Sequence, residues 1–122
     1  MALTLYRRFR VPIFWTLLAV IYGLALLPSD HAPTFNLGDK ADHMTAFFVL
    51  TLVARCAFPV RPGWLVGISL SLFGAFIELS QAMPFIGRDA SVWDWVADSI
   101  AIFAALLLAR ALEQRRPALF VN

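Results

Sequence analysis

Cysteine and charged residues are both scarce in this chain. Of its 122 residues, only Cys56 is a cysteine and only 15% are charged. A single cysteine excludes an internal disulfide and any metal site built from several thiolates. Cys56 lies in an apolar run and is predicted to be a small buried hydrophobe. The net charge of +2 is too small to indicate a nucleic-acid partner.

The local motifs of common enzymes are missing as well. The sequence contains no glycine-rich phosphate loop, no HExxH and no GxSxG, which are short signatures of nucleotide binding, zinc proteases and serine hydrolases. No nucleophile and no metal-ligand spacing stands out along the chain. We therefore assign no catalytic residue, no metal and no cofactor, and the sequence favours a protein that is not an enzyme.

What the chain has in excess is apolar surface. Hydrophobic residues make up 61% of it, against about 45–50% in soluble domains, and a domain of this size cannot bury so much. A membrane core about 30 Å thick needs about 20 apolar residues in a helix. Four stretches qualify, at about 11–27, 42–58, 63–83 and 92–112. Pro28, Pro59 and Pro84 stand near three of their ends, where proline stops a helix. The sequence predicts an all-α, four-helix membrane bundle, with residues 1–122 forming one domain.

Basic residues predict how this bundle is oriented. Eight of the ten lysines and arginines lie before span 1, around the loop between spans 2 and 3, or near the end of span 4. Such an excess marks the cytoplasmic side, so we expect both termini in the cytoplasm. No small-x-small cleavage site follows Leu27, and we expect span 1 to be retained rather than removed as a signal peptide.

Charged and polar side chains gather at the predicted outer ends of spans 2, 3 and 4. These pocket candidates are Asp39, Lys40, His43, Glu78, Gln81, Arg88, Asp94 and Asp98. Residues three or four apart share a helix face, so each span presents one polar stripe. An ionisable group inside a spanning helix costs roughly 2.5–3.5 kcal/mol and usually faces the bundle interior or water. We therefore predict a shared polar pocket. Its strongest candidates are His43, Glu78 and Asp98, because capping and helix-dipole roles explain these three residues least.

Ordinary helix-end roles compete for some of these residues. Ser91 and Asp94 fit a capping box, with Ser91 as the N-cap. Asp39 and Asp42 fit acids of a first turn, which the helix dipole stabilises. For these acids the cap and the pocket remain alternatives.

Two further features concern packing and anchoring. Trp93 and Trp95 lie at the level where aromatic belts form, which favours anchoring at the interface. Gly63 and Gly67 form one GxxxG motif in span 3, which permits close approach of a neighbouring helix.

The order of these motifs resembles the VanZ-like family of small bacterial membrane proteins, named after an accessory protein of glycopeptide (teicoplanin) resistance. The residues that carry the resemblance are Asp39-Lys40-x-x-His43, Glu78-x-x-Gln81, Arg88, Asp94 and Asp98, within a stretch of about residues 37 to 110. The family usually has asparagine where this chain has Asp98. The resemblance implies a multi-pass protein of the bacterial cytoplasmic membrane that acts in the cell envelope, without defining its chemistry.

A first functional hypothesis is a pocket that binds or processes an anionic envelope ligand, such as a polyprenyl phosphate, a phospholipid headgroup or a glycopeptide-related molecule. Lys40 and Arg88 would hold its phosphate, because basic side chains form charge-assisted hydrogen bonds to phosphate oxygens. His43 and Glu78 would act as acid and base, or the two carboxylates of span 4 would recruit a divalent cation.

Two other classes of function stay open. A non-enzymatic accessory subunit would use the charged residues as an internal clamp and pack into a larger membrane complex. An ion- or proton-coupled carrier would also need buried carboxylates, although four helices are few for a carrier. The expected partners are membrane lipids and, for the accessory subunit, other membrane proteins; nucleic acid is not expected.

Overall fold

The fold is entirely helical in the part of the chain that the computed structural model describes, which is residues 1–27, 39–86 and 90–121, with only the backbone of Asp39. Its elements are α1 (Ala2–Ala25), α2 (Asp39–Ala57), α3 (Gly63–Gln81), α4 (Val92–Arg115) and a short 3-10 helix, Pro117–Phe120. The prediction of an all-α bundle of four helices is confirmed. Cys56 is half-buried in it.

The helices extend beyond the predicted apolar spans at three points, one of which is the start of α2 at Asp39. Helix α1 begins at Ala2 and continues through Pro12, so the three arginines predicted to precede the first span lie inside its helix. Helix α4 continues to Arg115, beyond the predicted end near Leu112. Hydropathy marks the part of a helix that suits lipid, whereas the backbone hydrogen bonds that define the helix continue into its polar flanks.

The four helices alternate in direction. The Tyr22 hydroxyl lies 3.1 Å from that of Ser80, so the last turns of α1 and α3 are neighbours. At the opposite end Arg55 of α2 forms an ion pair with Glu113 of α4. We call the end where α2 and α4 begin the polar end, because it holds Lys40, Asp42, His43, Glu78, Asp94 and Asp98. The other end, which holds Arg7, Arg8, Arg10, Arg55, Arg61, Arg110, Arg115 and Arg116, is the basic end.

Three of the helices, α1, α3 and α4, are long and apolar enough to cross a membrane, which indicates a membrane protein. Large apolar side chains such as Trp64, Leu72 and Phe103 are more than half exposed, as lipid-facing residues are. Helix α2 carries charged residues near both ends and is not among the three. It packs against each of the other helices, and this enclosure suits the least apolar of the four helices.

Small residues let the enclosing helices approach closely. Ala97, Ala101, Ala105 and Ala109 are buried on α4 at intervals of four residues, which places them on one stripe. On α3, a Cβ added to Gly67 would lie 2.8 Å from Leu106 Cδ1 of α4. The GxxxG motif therefore lies at a real contact between α3 and α4, and the buried alanine stripe of α4 is a feature that the sequence reasoning missed.

Hydrogen bonds hold the basic end together. Besides its ion pair with Glu113, Arg55 donates to the backbone carbonyl of Arg61 over 2.6 Å. Arg10 is 8% exposed and donates to the carbonyl of Val121 over 2.7 Å. The Tyr6 hydroxyl donates to the carbonyl of Leu119 over 2.8 Å. Tyr6 and Arg10 thus join the first turns of α1 to residues 119–121.

A leucine at position 67 should destabilise the bundle, whereas the same change at position 23 should not. Gly67 contacts Leu106, while a Cβ at Gly23 meets nothing within 4 Å. Overpacking a helix contact costs about 1–3 kcal/mol, so Gly67→Leu should lower the unfolding midpoint in detergent and Gly23→Leu should leave it unchanged. Equal midpoints for the two variants would contradict the close approach of α3 to α4.

Removing the charge of Arg55 should destabilise the protein more than removing that of Glu113. Glu113→Gln removes the ion pair alone, and because the Glu113 side chain is 31% exposed, we expect a loss of about 1 kcal/mol. Arg55→Gln also loses the bond to the Arg61 carbonyl. The double variant should cost less than the sum, as coupled pairs do. Arg7→Gln, an exposed arginine at the same end, is the control, and additive losses in equilibrium unfolding would refute the pairing.

Candidate polar site at one end of the bundle

Helix α2 brings its first turns to the polar end. The helix includes Asp39, three residues before the predicted span of about 42–58, so the backbone of the whole Asp39–His43 stripe is helical. The Lys40 side chain is 54% exposed and its Nζ lies 3.5 Å from Asp94 Oδ1. His43 is half-buried, and Asp42 is only 9% exposed. Burial distinguishes Asp42 from a solvated first-turn acid, and hydropathy alone gave no sign of it.

Helix α3 places Glu78 and Gln81 at its end. Glu78 is 9% exposed, and its Oε2 accepts a hydrogen bond of 2.9 Å from the backbone N–H of Ser91. Gln81 is 1% exposed and donates from Nε2 to the carbonyl of Ala25 over 2.8 Å. The last carbonyls of a helix have no partner within it, so Gln81 supplies one to the end of α1. This predicted pocket residue thus joins α1 to α3.

Helix α4 begins with a cap that differs from the predicted capping box. Ser91 is the N-cap, and its hydroxyl accepts from the N–H of Trp93 over 3.2 Å. In a complete box the residue at N3, Asp94, would accept from the N–H of Ser91. That N–H donates to Glu78 instead, and Asp94 pairs with Lys40. The hydroxyl of Ser91 therefore caps the helix as predicted. The second bond of the box, from the Ser91 N–H to Asp94, is replaced by a bond to Glu78 that links α4 to α3.

Asp98 lies deepest among these residues. It follows Asp94 by one turn of α4 and is 1% exposed, and both of its carboxylate oxygens are buried. One ligand atom from each of His43, Glu78 and Asp98 lies within 4.8 Å of the other two. We call these three residues the His–Glu–Asp cluster. They come from three different helices, and they are the three that helix-end chemistry explained least.

Further polar contacts join α3 and α4 beneath the cluster. The hydroxyls of Ser71 and Ser99 lie 2.9 Å apart. The indole N–H of Trp95 donates to the carbonyl of Ser71 over 2.9 Å, so Trp95 ties two helices together in addition to the anchoring role predicted for it. Trp93 is 72% exposed, as an interface anchor should be. No local sequence signal pairs the two serines, because they are far apart in the chain.

Some predicted residues lie outside this description. Arg88 falls in the undescribed segment 87–89, and the side chain of Asp39 is likewise outside the described part. Within the described residues the structure brings together His43, Glu78 and Asp98, and it brings Lys40 to Asp94. Gln81 is turned to α1 instead.

The cluster has the groups for two kinds of chemistry. An imidazole nitrogen and carboxylate oxygens can exchange a proton when they come within hydrogen-bond reach, and the same atoms are ligands for divalent metals. The apolar helices around them lower the local dielectric, which strengthens every charge interaction in the cluster. The charge interactions that proton exchange and metal binding depend on are therefore stronger here than they would be on an exposed surface.

Known proteins add no further constraint to this geometry. The chain was compared with protein-family models, with curated proteins and with solved structures, and no match was found in any of the three. The function must therefore be inferred from the residues of the polar end and their surroundings.

Proposed function

We propose that this chain is a VanZ-like protein of the bacterial cytoplasmic membrane whose polar end binds the phosphate-bearing headgroup of an anionic envelope lipid. The observation that carries the proposal is the convergence of titratable side chains from three helices at one end of an otherwise apolar bundle. Ionisable residues are costly in such surroundings and usually mark a functional site. The end of a spanning bundle is also the level at which lipid headgroups lie.

Several features of the polar end favour an anion. Helices α2 and α4 both begin there, and a helix N-terminus carries partial positive charge and free N–H donors. The Lys40 side chain is more than half exposed beside Asp94, so its ammonium group is accessible to a ligand that approaches from the headgroup layer. Arg88, from the motif that resembles the family, is the second cation expected to take part.

The carboxylates of the same end oppose a bare anion. Asp42, Glu78, Asp94 and Asp98 all lie there, and an approaching phosphate would be repelled by any of them that is ionised. Headgroup binding at this end therefore requires compensating positive charge, from Lys40, from a protonated His43 or from a bound cation. A ligand that carries its own divalent cation would meet the same requirement.

Loss of Lys40 and His43 should weaken the binding of a polyprenyl phosphate. Purified protein in neutral-lipid nanodiscs would be titrated with undecaprenyl phosphate and, separately, with phosphatidylglycerol. A hydrogen bond to a charged group contributes about 1.5–3 kcal/mol, so Lys40→Gln and His43→Ala should each raise the dissociation constant by roughly ten-fold or more.

The control for this titration is Arg110→Gln, which removes an exposed arginine from the basic end. It should not change the affinity, because that end lies on the other side of the bundle. Equal losses in all three variants would indicate non-specific attraction to anionic lipid and would overturn the proposal. If the polar-end variants bind lipid normally but lose stoichiometric membrane-protein partners on gentle extraction, the chain is an accessory subunit.

A further inference from the structure

We propose that His43, Glu78 and Asp98 form a binding site for one divalent transition-metal ion, with zinc as the favoured occupant. The three side chains belong to α2, α3 and α4, and one potential ligand atom of each lies within 4.8 Å of the other two. The sequence predicted no metal because metal motifs are recognised by short spacings along the chain. These ligands are separated by whole helices, so only the folded bundle assembles them.

The donor set fits zinc. Zinc is bound by imidazole nitrogen and carboxylate oxygen at about 2.0–2.2 Å, and a site with three protein ligands keeps its fourth position for water or another ligand. A tetrahedron with those bond lengths has edges of roughly 3.3–3.6 Å, so ligand atoms within 4.8 Å of one another need to approach by about 1.5 Å or less per contact. Calcium is less suitable, since it takes six to eight oxygen ligands.

The surroundings of the cluster also suit a metal. Asp98 is 1% exposed and Glu78 is 9% exposed, so two carboxylates are held near each other in a region of low dielectric. Their mutual repulsion is relieved by a divalent cation more completely than by a single proton on His43. Lys40 of the same end pairs with Asp94, one turn away from Asp98 on α4.

An outer hydrogen bond orients one of the proposed ligands. Glu78 Oε2 accepts from the backbone N–H of Ser91 over 2.9 Å, and hydrogen bonds of this kind hold ligating carboxylates in place in metal sites. Because Ser91 is the N-cap of α4, this bond also fixes the position of Glu78 relative to the helix that carries Asp98. Two of the three ligands are thus positioned before any metal binds.

A metal with an open coordination position at the polar end would supply the positive charge that a phosphate needs there. This role toward a phosphate rests on the proposed function. Binding of the metal itself does not require the lipid. A test with metal alone therefore separates the two proposals. Metal uptake without lipid affinity would overturn only the headgroup site. Lipid affinity without metal uptake would overturn only the metal site.

The test is a titration of chelator-treated protein in detergent with Co²⁺, followed by competition with Zn²⁺. Tetrahedral cobalt absorbs strongly in the visible range, so wild-type protein should show these bands at one equivalent and lose them to zinc. Asp98→Asn should weaken zinc binding at least ten-fold. The control is Glu113→Gln, which removes a carboxylate from the other end of the same helix, and it should bind zinc like the wild type. No uptake by the wild type, or equal loss in both variants, would overturn the site.

A second variant guards against a folding defect in the first. In His43→Cys a thiolate replaces the imidazole as a zinc and cobalt ligand, and it should retain the metal and add a thiolate-to-cobalt charge-transfer band in the near ultraviolet. Cys56 is 13 residues along the same helix, about 20 Å away, so wild-type protein should lack this band. A folded His43→Cys variant, shown helical by circular dichroism, that binds cobalt without the band would also overturn the proposal.

Discussion

The constraint on which this structure depends is that α2, the least apolar of its helices, must be kept away from lipid. A charged side chain in hydrocarbon is costly and is tolerated when it faces protein or water. Helix α2 meets this requirement by packing against α1, α3 and α4, which are the helices apolar enough to span a membrane. Its neighbours can enclose it because α4 presents a buried alanine every fourth residue, and small side chains let helix axes approach closely.

In keeping with the same constraint, the charged residues of α2 lie near its two ends. At the basic end Arg55 reaches Glu113 and a backbone carbonyl of the following turn. At the polar end Lys40 reaches Asp94, and His43 comes close to Glu78 and Asp98. Between the ends the buried positions of α2 are Phe47, Leu50, Thr51 and Ala54. Thr51 satisfies its hydroxyl locally by donating to the carbonyl of Phe47, which is how a polar residue is accommodated within an apolar helix.

Most of the fold could be predicted from the sequence, because hydropathy and proline positions respond to the same physics that forms the helices. The starts of α3 and α4 agree with the predicted spans to the residue. The start of α1 does not, since the helix continues through its three arginines, of which Arg10 donates to the carbonyl of Val121. That contact joins residues more than a hundred positions apart, and no local pattern encodes it.

The candidate site could be predicted in part for a similar reason. Helical spacing shows which residues share a face, so the stripes of His43, Glu78 and Asp98 were found. It does not show which neighbour each stripe meets, and so the role of Gln81 at the end of α1 was missed. The competition for the N–H of Ser91 was missed too, because the capping rule considers one helix and the competing acceptor, Glu78, belongs to another.

The two ends of the bundle differ in a way that bears on function. At the basic end the described contacts join a cation to a carboxylate or to backbone carbonyls, and such contacts stabilise the fold by themselves. At the polar end Glu78 and Asp98, two acids, are brought close to each other with a single imidazole. Two ionised carboxylates repel each other more strongly as water is excluded, so their proximity favours a cation or a shared proton between them. Departures from local stability rules of this kind are expected at functional sites, which agrees with the metal site that we propose for the cluster.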